Sequence, residues 1–205
     1  MEINLIGFAY LFLRLAPFVL ASFFTLASLF NQDFKGIIYL VGLLLCSFLT
    51  MMTGKLLPEA LFKRGEDDEG PPEICNMLTF GQSDADISLL PLGQSTLAYT
   101  FMYLLFAILK YDLVKSNIPT LIFFPLLLSF DFLWNYRNSC YSFSSLLCSL
   151  FVGASIGAIW AYVISTTKTP QLIYFSSKQN QVCTKPSKST FRCNVYKNGH
   201  VVGKL

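Results

Sequence analysis

SSLLCSLFVGASIGAIWAYVIST, residues 144–166, decides the class of fold, because it runs its whole length without a charged side chain. A bilayer core of ~30 Å is crossed by about 20 apolar residues in a helix, and this run meets that length. Four further apolar runs precede it, at roughly 3–30, 37–53, 94–115 and 120–135. Runs 37–53 and 120–135 are short, and reach a full span with their flanks or by helix distortion. Only 13% of the 205 residues are charged, 54% are hydrophobic and 20 are Phe. A soluble domain carries ~25% charged residues. The chain starts with Glu2 rather than a basic region, and no small-residue cleavage site stands out. The expected fold is therefore an all-α membrane bundle of about five transmembrane helices. Residues 1–53 hold the first two, 54–93 form an extramembrane loop, 94–166 hold three more, and 167–205 form a tail.

The charges outside the runs are sorted by sign. From Lys55 to Asp86 the basic residues are Lys55, Lys63 and Arg64. The acidic ones are Glu59, Glu66, Asp67, Asp68, Glu69, Glu73, Asp84 and Asp86. The tail carries Lys168, Lys178, Lys185, Lys188, Arg192, Lys197 and Lys204 and no acid. With five spans, the N-terminus, the 54–93 loop and the 136–143 turn share a loop face. The 31–36 turn, the 116–119 turn and the tail share a tail face. Lys and Arg in short flanking segments favour the cytosol. Lys35, Lys115 and the tail place the tail face there, against Lys55, Lys63, Arg64 and Arg137 opposite. The slightly basic balance comes from the tail and gives no reason to expect sequence-specific nucleic-acid binding.

Arg14 and Asp131 are the intramembrane charges. Arg14 either reaches an interface from a helix bent at Pro17 or pairs with Asp131. Gly153-Ala-Ser-Ile-Gly157 is a small-residue element that lets helices approach closely, within the chain or between copies. KLLPEALFKR (55–64) has apolar positions at helical spacing and suits a short interfacial helix. GEDDEGPP (65–72) reads as a solvated loop. Ser116-Asn117-Ile118-Pro119 reads as a tight turn making an antiparallel hairpin of runs 94–115 and 120–135. In the tail, TFRCNVYK (190–197) precedes Asn198-Gly199 and HVVGKL (200–205). Asn-Gly between two strand-like segments predicts a small β-hairpin through a type I′ turn. Lys185, Lys188, Arg192, Lys197, Asn198 and Gly199 are then the candidate partner-binding residues.

Cys46 and Cys148 lie inside runs and read as small core residues. Cys75 with Cys140, on the loop face, and Cys183 with Cys193, in the tail, are two candidate disulfides. The tail pair would lie in the cytosol, where disulfides are rare, though some large viruses make them there. Structural zinc takes four ligands, and only His200 accompanies the tail pair, so no metal or other cofactor is expected. A channel or transporter reading rests on Arg14 and Asp131 alone, with no repeat or broken-helix pair to support it.

Lys55 and Lys63-Arg64 follow run 37–53, Pro91-Leu92-Gly93-Gln94 opens run 94–115, and Arg137 precedes run 144–166. Over residues 37–166 this resembles the layout of the type 2 phosphatidic-acid phosphatases. Their Lys/Arg element, Pro-Ser-Gly-His element and Arg-His-Asp element sit on one membrane face. The likeness puts the motif histidines at Gln94 and Phe143, the serine at Leu92 and the aspartate at Leu147. That family uses one His as nucleophile and another as acid/base, roles Gln and Phe cannot fill. The expectation is a non-enzyme, with Arg64 and Arg137 left as candidate ligands for an anionic lipid headgroup.

CTKPSKSTFRCNVYKNG (183–199), Cys75-Asn76 ahead of Phe80-Gly81, and Ile173-Tyr174-Phe175 carry a second resemblance. Together they look like the signature of a membrane-protein family of nucleocytoplasmic large DNA viruses, of the mimivirus and phycodnavirus kinds. That resemblance covers most of residues 75–200. It implies a structural virion protein of the inner membrane, inserted in a host internal, ER-derived membrane during assembly. Its partners would be the bilayer and other virion proteins, minor capsid or core, with an oligomer also open. The alternative expectation is a lipid phosphatase-like enzyme or headgroup binder with a remodelled site.

Overall fold

The computed structural model describes residues 5–57, 75, 90–167, 172–174, 194–197 and 200–204. For 5–10, 14, 194–197 and 200–204 it describes the backbone alone. The helices are α1 (Leu5–Asn31), α2 (Lys35–Leu56), α3 (Leu92–Lys110), α4 (Ile118–Arg137) and α5 (Phe143–Thr166), with a 3-10 turn at Val114–Ser116. Four of them, α2 to α5, are long and apolar enough to cross a membrane. At 1.5 Å per residue, the 19 residues of α3 span about 28 Å and the 22 of α2 about 33 Å. α1 is a further apolar helix of 27 residues. In the tail, β1 (Asn194–Lys197) and β2 (His200–Lys204) lie antiparallel, with Lys197 opposite His200.

α3 is the central helix. It is buried over 61% of its apolar window, against 22–28% for α2, α4 and α5. The reason is readable in its side chains. Small and hydroxylic residues (Ser95, Thr96, Ala98, Thr100, Ala107) alternate with Leu97, Tyr99 and Tyr103, so neighbours can press in on several sides. α5 comes closest. A Cβ at Gly153 would lie 2.2 Å from the Ser95 carbonyl oxygen, and one at Gly157 would lie 2.4 Å from that of Tyr99. The Gly153/Gly157 element is thus spent within the chain, seating α5 against the backbone of α3.

Two apolar clusters hold the bundle. Toward the loop face, Ala16, Leu97, Ala98, Leu127 and Leu128 join α1, α3 and α4. Toward the tail face, Phe24, Tyr39, Tyr99, Tyr103, Phe124, Ala161 and Ile173 join all five helices to the segment after α5. The outward faces carry Phe18, Phe23, Leu44, Phe130 and Phe151, exposed as a lipid-facing surface requires.

Several sequence boundaries need correction. Run 94–115 stops being helix at Lys110, because Asp112 turns into the left-handed region (φ 52°) and Leu113 N–H closes on the Ile108 carbonyl at 2.9 Å. The link to α4 is therefore Tyr111–Asn117 with its 3-10 turn, and Pro119 lies inside the first turn of α4. Lys55 and Leu56 belong to the last turn of α2, so the segment 55–64 does not begin as a separate helix. Cys46 is fully buried, whereas Cys148 is only half-buried.

Candidate functional site

Buried polar residues gather in the loop-face half of the bundle. Thr50 comes from α2, Gln94, Ser95 and Thr96 from α3, Asn135 from α4, and Ser145 and Ser149 from α5. Each polar group must find a partner, since nothing in a bilayer core replaces one. Thr50 Oγ1 donates to the Cys46 carbonyl (2.8 Å), Ser95 Oγ to that of Leu92 (2.9 Å) and Ser145 Oγ to that of Ser142 (2.9 Å). Ser149 Oγ crosses from α5 to the Pro91 carbonyl at 2.7 Å, tying the starts of α5 and α3. Asn135 Nδ2 donates to the Asp131 carbonyl (2.8 Å) and carboxylate (3.2 Å). Gln94 is an exception: it is 1% exposed, and neither Nε2 nor Oε1 has a hydrogen-bond partner among the described residues.

The turn after α4 closes this end. Ser139 adopts a left-handed backbone (φ 53°) and Cys140 N–H bonds the Asn135 carbonyl at 2.9 Å. Cys140 is joined by a disulfide to Cys75, 65 positions earlier, which pins the acidic loop to the α4–α5 turn. Ser142 then caps α5 by accepting the Ser145 N–H.

At the opposite end, the chain returns to the bundle after α5. Ile173 is fully buried among Tyr39, Tyr103 and Phe24. The Tyr174 hydroxyl donates to the Phe24 carbonyl at 2.8 Å, and its ring meets Phe24 edge-on. Burial first, then the nearby Asp33 carboxylate, push the Tyr174 phenol up to about 12. Asp33 itself is held by Ser28, whose hydroxyl bonds its carbonyl and its carboxylate, and lies 3.8 Å from Lys35 Nζ.

The residues singled out from sequence fall as follows. Gln94 is buried in the first turn of α3, whereas Phe143 is exposed and packs edge-on against Phe132 and Tyr136 of α4. The two motif positions differ in burial, Gln94 inside the bundle and Phe143 on its surface. Arg137 is exposed in the last turn of α4. Asp131 is half-buried on α4, facing Asn135. The Arg14 side chain lies outside the described residues, as do Arg64, Cys183, Cys193, Lys185, Lys188, Arg192, Asn198, Gly199 and the Lys197 side chain. No group of three His, Cys, Asp or Glu that could hold a metal exists among the described residues. Sequence reading missed the Ile173–Tyr174 return as a packed element. Its only signal was an apolar-aromatic triplet in an otherwise polar tail. Comparisons with known protein families, with curated proteins and with solved structures find no match.

Proposed function

We propose that this chain is a structural membrane protein that holds two charged appendages at fixed positions on opposite faces of a bilayer. By the resemblance of its loop and tail segments, the membrane is the inner membrane of a large icosahedral DNA virus. The appendages are then spacers between membrane and capsid, or membrane and core. The single observation that supports this most is the return of Leu172–Tyr174 into the bundle. A tail rooted by a buried Ile and a bonded Tyr starts from a defined place on the tail face. The disulfide to Cys140 does the same for the acidic loop on the loop face. Within this reading the basic tail, folded as a hairpin through Asn198-Gly199, meets an acidic surface of a minor capsid or core protein. Lys185, Lys188, Arg192 and Lys197 supply the complementary charge.

Localisation tests it. The protein should co-purify with virions stripped of loose membrane, and lysine cross-linking should join the tail to a capsid or core protein. Recovery in infected-cell membranes but not in virions would sink the proposal. A lipid phosphatase-like enzyme or headgroup binder draws on the exposed Arg137. Phosphate release from phosphatidic acid by the purified protein, lost in Arg137→Ala, would put that reading first.

A further inference from the structure

We propose that the Gln94 carboxamide is a binding site for one neutral hydroxyl, supplied by a water molecule or by the glycerol hydroxyl of a neutral lipid. The inference does not depend on the capsid reading. Gln94 is the third residue of α3, and its side chain is buried with both polar atoms unpaired among the described residues. A glutamine at that position ordinarily reaches back to the N–H of the N-cap residue. Here the N-cap is Pro91, which has no N–H, so that partner does not exist. The acceptors that a rotated amide group could reach along its own turn are engaged. The Pro91 carbonyl takes Ser95 N–H and the Ser149 hydroxyl, and the Leu92 carbonyl takes the Ser95 hydroxyl.

The placement says where the hydroxyl comes from. Leu97 and Ala98, one turn along the same face of α3, pack with Ala16 of α1 and Leu127 and Leu128 of α4. Gln94 therefore sits one turn closer to the loop face than that apolar plug. At 1.5 Å per residue it lies about 3 Å from the start of α3, at the loop-face end of the helix, where water and lipid headgroups are nearer than at the plug. The first-turn N–H groups of α3 add donors at the same level, since they have no intrahelical acceptor.

Chemistry narrows the ligand. The carboxamide presents donors at Nε2 and an acceptor at Oε1, so its occupant must both accept and donate. A hydroxyl does both. An ionised phosphate only accepts, and would set its oxygens against Oε1. A metal ion would have one neutral ligand, with no acidic or sulfur cluster beside it among the described residues.

The test uses the whole protein in phosphatidylcholine nanodiscs with isotope-labelled glutamine side chains. The Gln94 amide signals are assigned by their loss in Gln94→Leu and, should that variant fold poorly, by their loss in Gln94→Asn, whose side chain carries no label. A water-bound site gives a magnetisation-exchange peak between the Gln94 amide protons and water that persists with the protein embedded. A lipid-bound site gives a saturable shift of the Gln94 signals on adding monooleoylglycerol, and none with methyl oleate, which lacks the hydroxyl. Either result supports the proposal and names the source. Absence of both, or a shift with phosphatidic acid and not with monooleoylglycerol, overturns it.

Discussion

A Cβ built on Gly42 would lie 2.1 Å from the Tyr99 hydroxyl and 2.4 Å from the Trp160 indole. This gap on α2 lets Tyr99 donate to the Tyr39 carbonyl at 3.1 Å and Trp160 Nε1 to the Ile38 carbonyl at 3.1 Å. Gly42→Ala should therefore overpack the tail-face cluster and cost about 1–3 kcal/mol, read as a lower thermal midpoint in detergent. Adding Tyr99→Phe removes the clashing oxygen and should restore part of the loss. If the double variant is as unstable as the sum of the singles, the Tyr99 contact is not the cause. A second pair at this scale is Tyr39 and Thr100, whose hydroxyls meet at 2.7 Å in the buried core. Tyr39→Phe and Thr100→Val should couple by about 0.6 kcal/mol in a double-mutant cycle, the usual size for bonds between membrane helices. Neither contact is legible in the sequence. A Gly or Tyr inside an apolar run shows that a helix is there, while the partner across the interface depends on rotation about the helix axis. Gly153 and Gly157 were easier, because their spacing of four already marks one packed face.

Three helices end alike, and none ends with glycine. Gln32, Asp112 and Ser139 take φ values of 53°, 52° and 53°, and in each case the next N–H reaches back five residues. Asp33 bonds Ser28, Leu113 bonds Ile108 and Cys140 bonds Asn135, at 3.1, 2.9 and 2.9 Å. The left-handed conformation costs an L-residue about 1–2 kcal/mol, which glycine avoids. Asp112→Gly should thus raise stability by about 1 kcal/mol in chemical or thermal unfolding; a loss would mean that the Asp112 side chain contributes more than its backbone costs. The missing glycine is also why the sequence carries the third run to residue 115. Leu113 and Val114 keep the composition apolar after the helix has stopped, and hydropathy cannot see a change of φ. The five runs themselves were legible because burial in lipid selects for them directly. The Leu172–Tyr174 return makes a pH prediction. The Tyr174 phenol is raised to about 12 when packed, from 10.0 when free. A raised folded value means that the stabilisation is whole below pH 10 and is lost as pH climbs through about 12. The tail root should release over that interval, seen as faster proteolysis after the bundle. Tyr174→Phe should remove the late tyrosinate absorbance step and the pH dependence together.

At the scale of the whole molecule, the covalent link and the charge bias can be set against each other. The disulfide between Cys75 and Cys140 lies on the loop face and closes a segment of 65 positions. By chain entropy such a closure contributes about 4 kcal/mol, so Cys140→Ser should lower unfolding stability by about 2–4 kcal/mol. The sequence offered this pair beside a tail pair that its expected cytosolic placement disfavoured, and spacing alone does not bring sulfurs together; the α4–α5 turn does. A disulfide persists in an oxidising compartment, whereas Lys and Arg collect on the cytosolic side. Lys35 and Lys115 lie at the end of the bundle opposite the disulfide, where Leu172–Tyr174 root the tail, so both arguments predict one orientation: loop face in the lumen, tail in the cytosol. In cells opened only at the plasma membrane, an antibody to a C-terminal epitope should bind. A membrane-impermeant maleimide should leave the thiol of Cys75 freed by Cys140→Ser unlabelled until internal membranes are also opened. A variant lacking Cys46, Cys148, Cys183 and Cys193 confines the signal to that thiol. Labelling while internal membranes are intact would place the disulfide in the cytosol. The charge bias would then have to be explained by partners of the tail rather than by insertion.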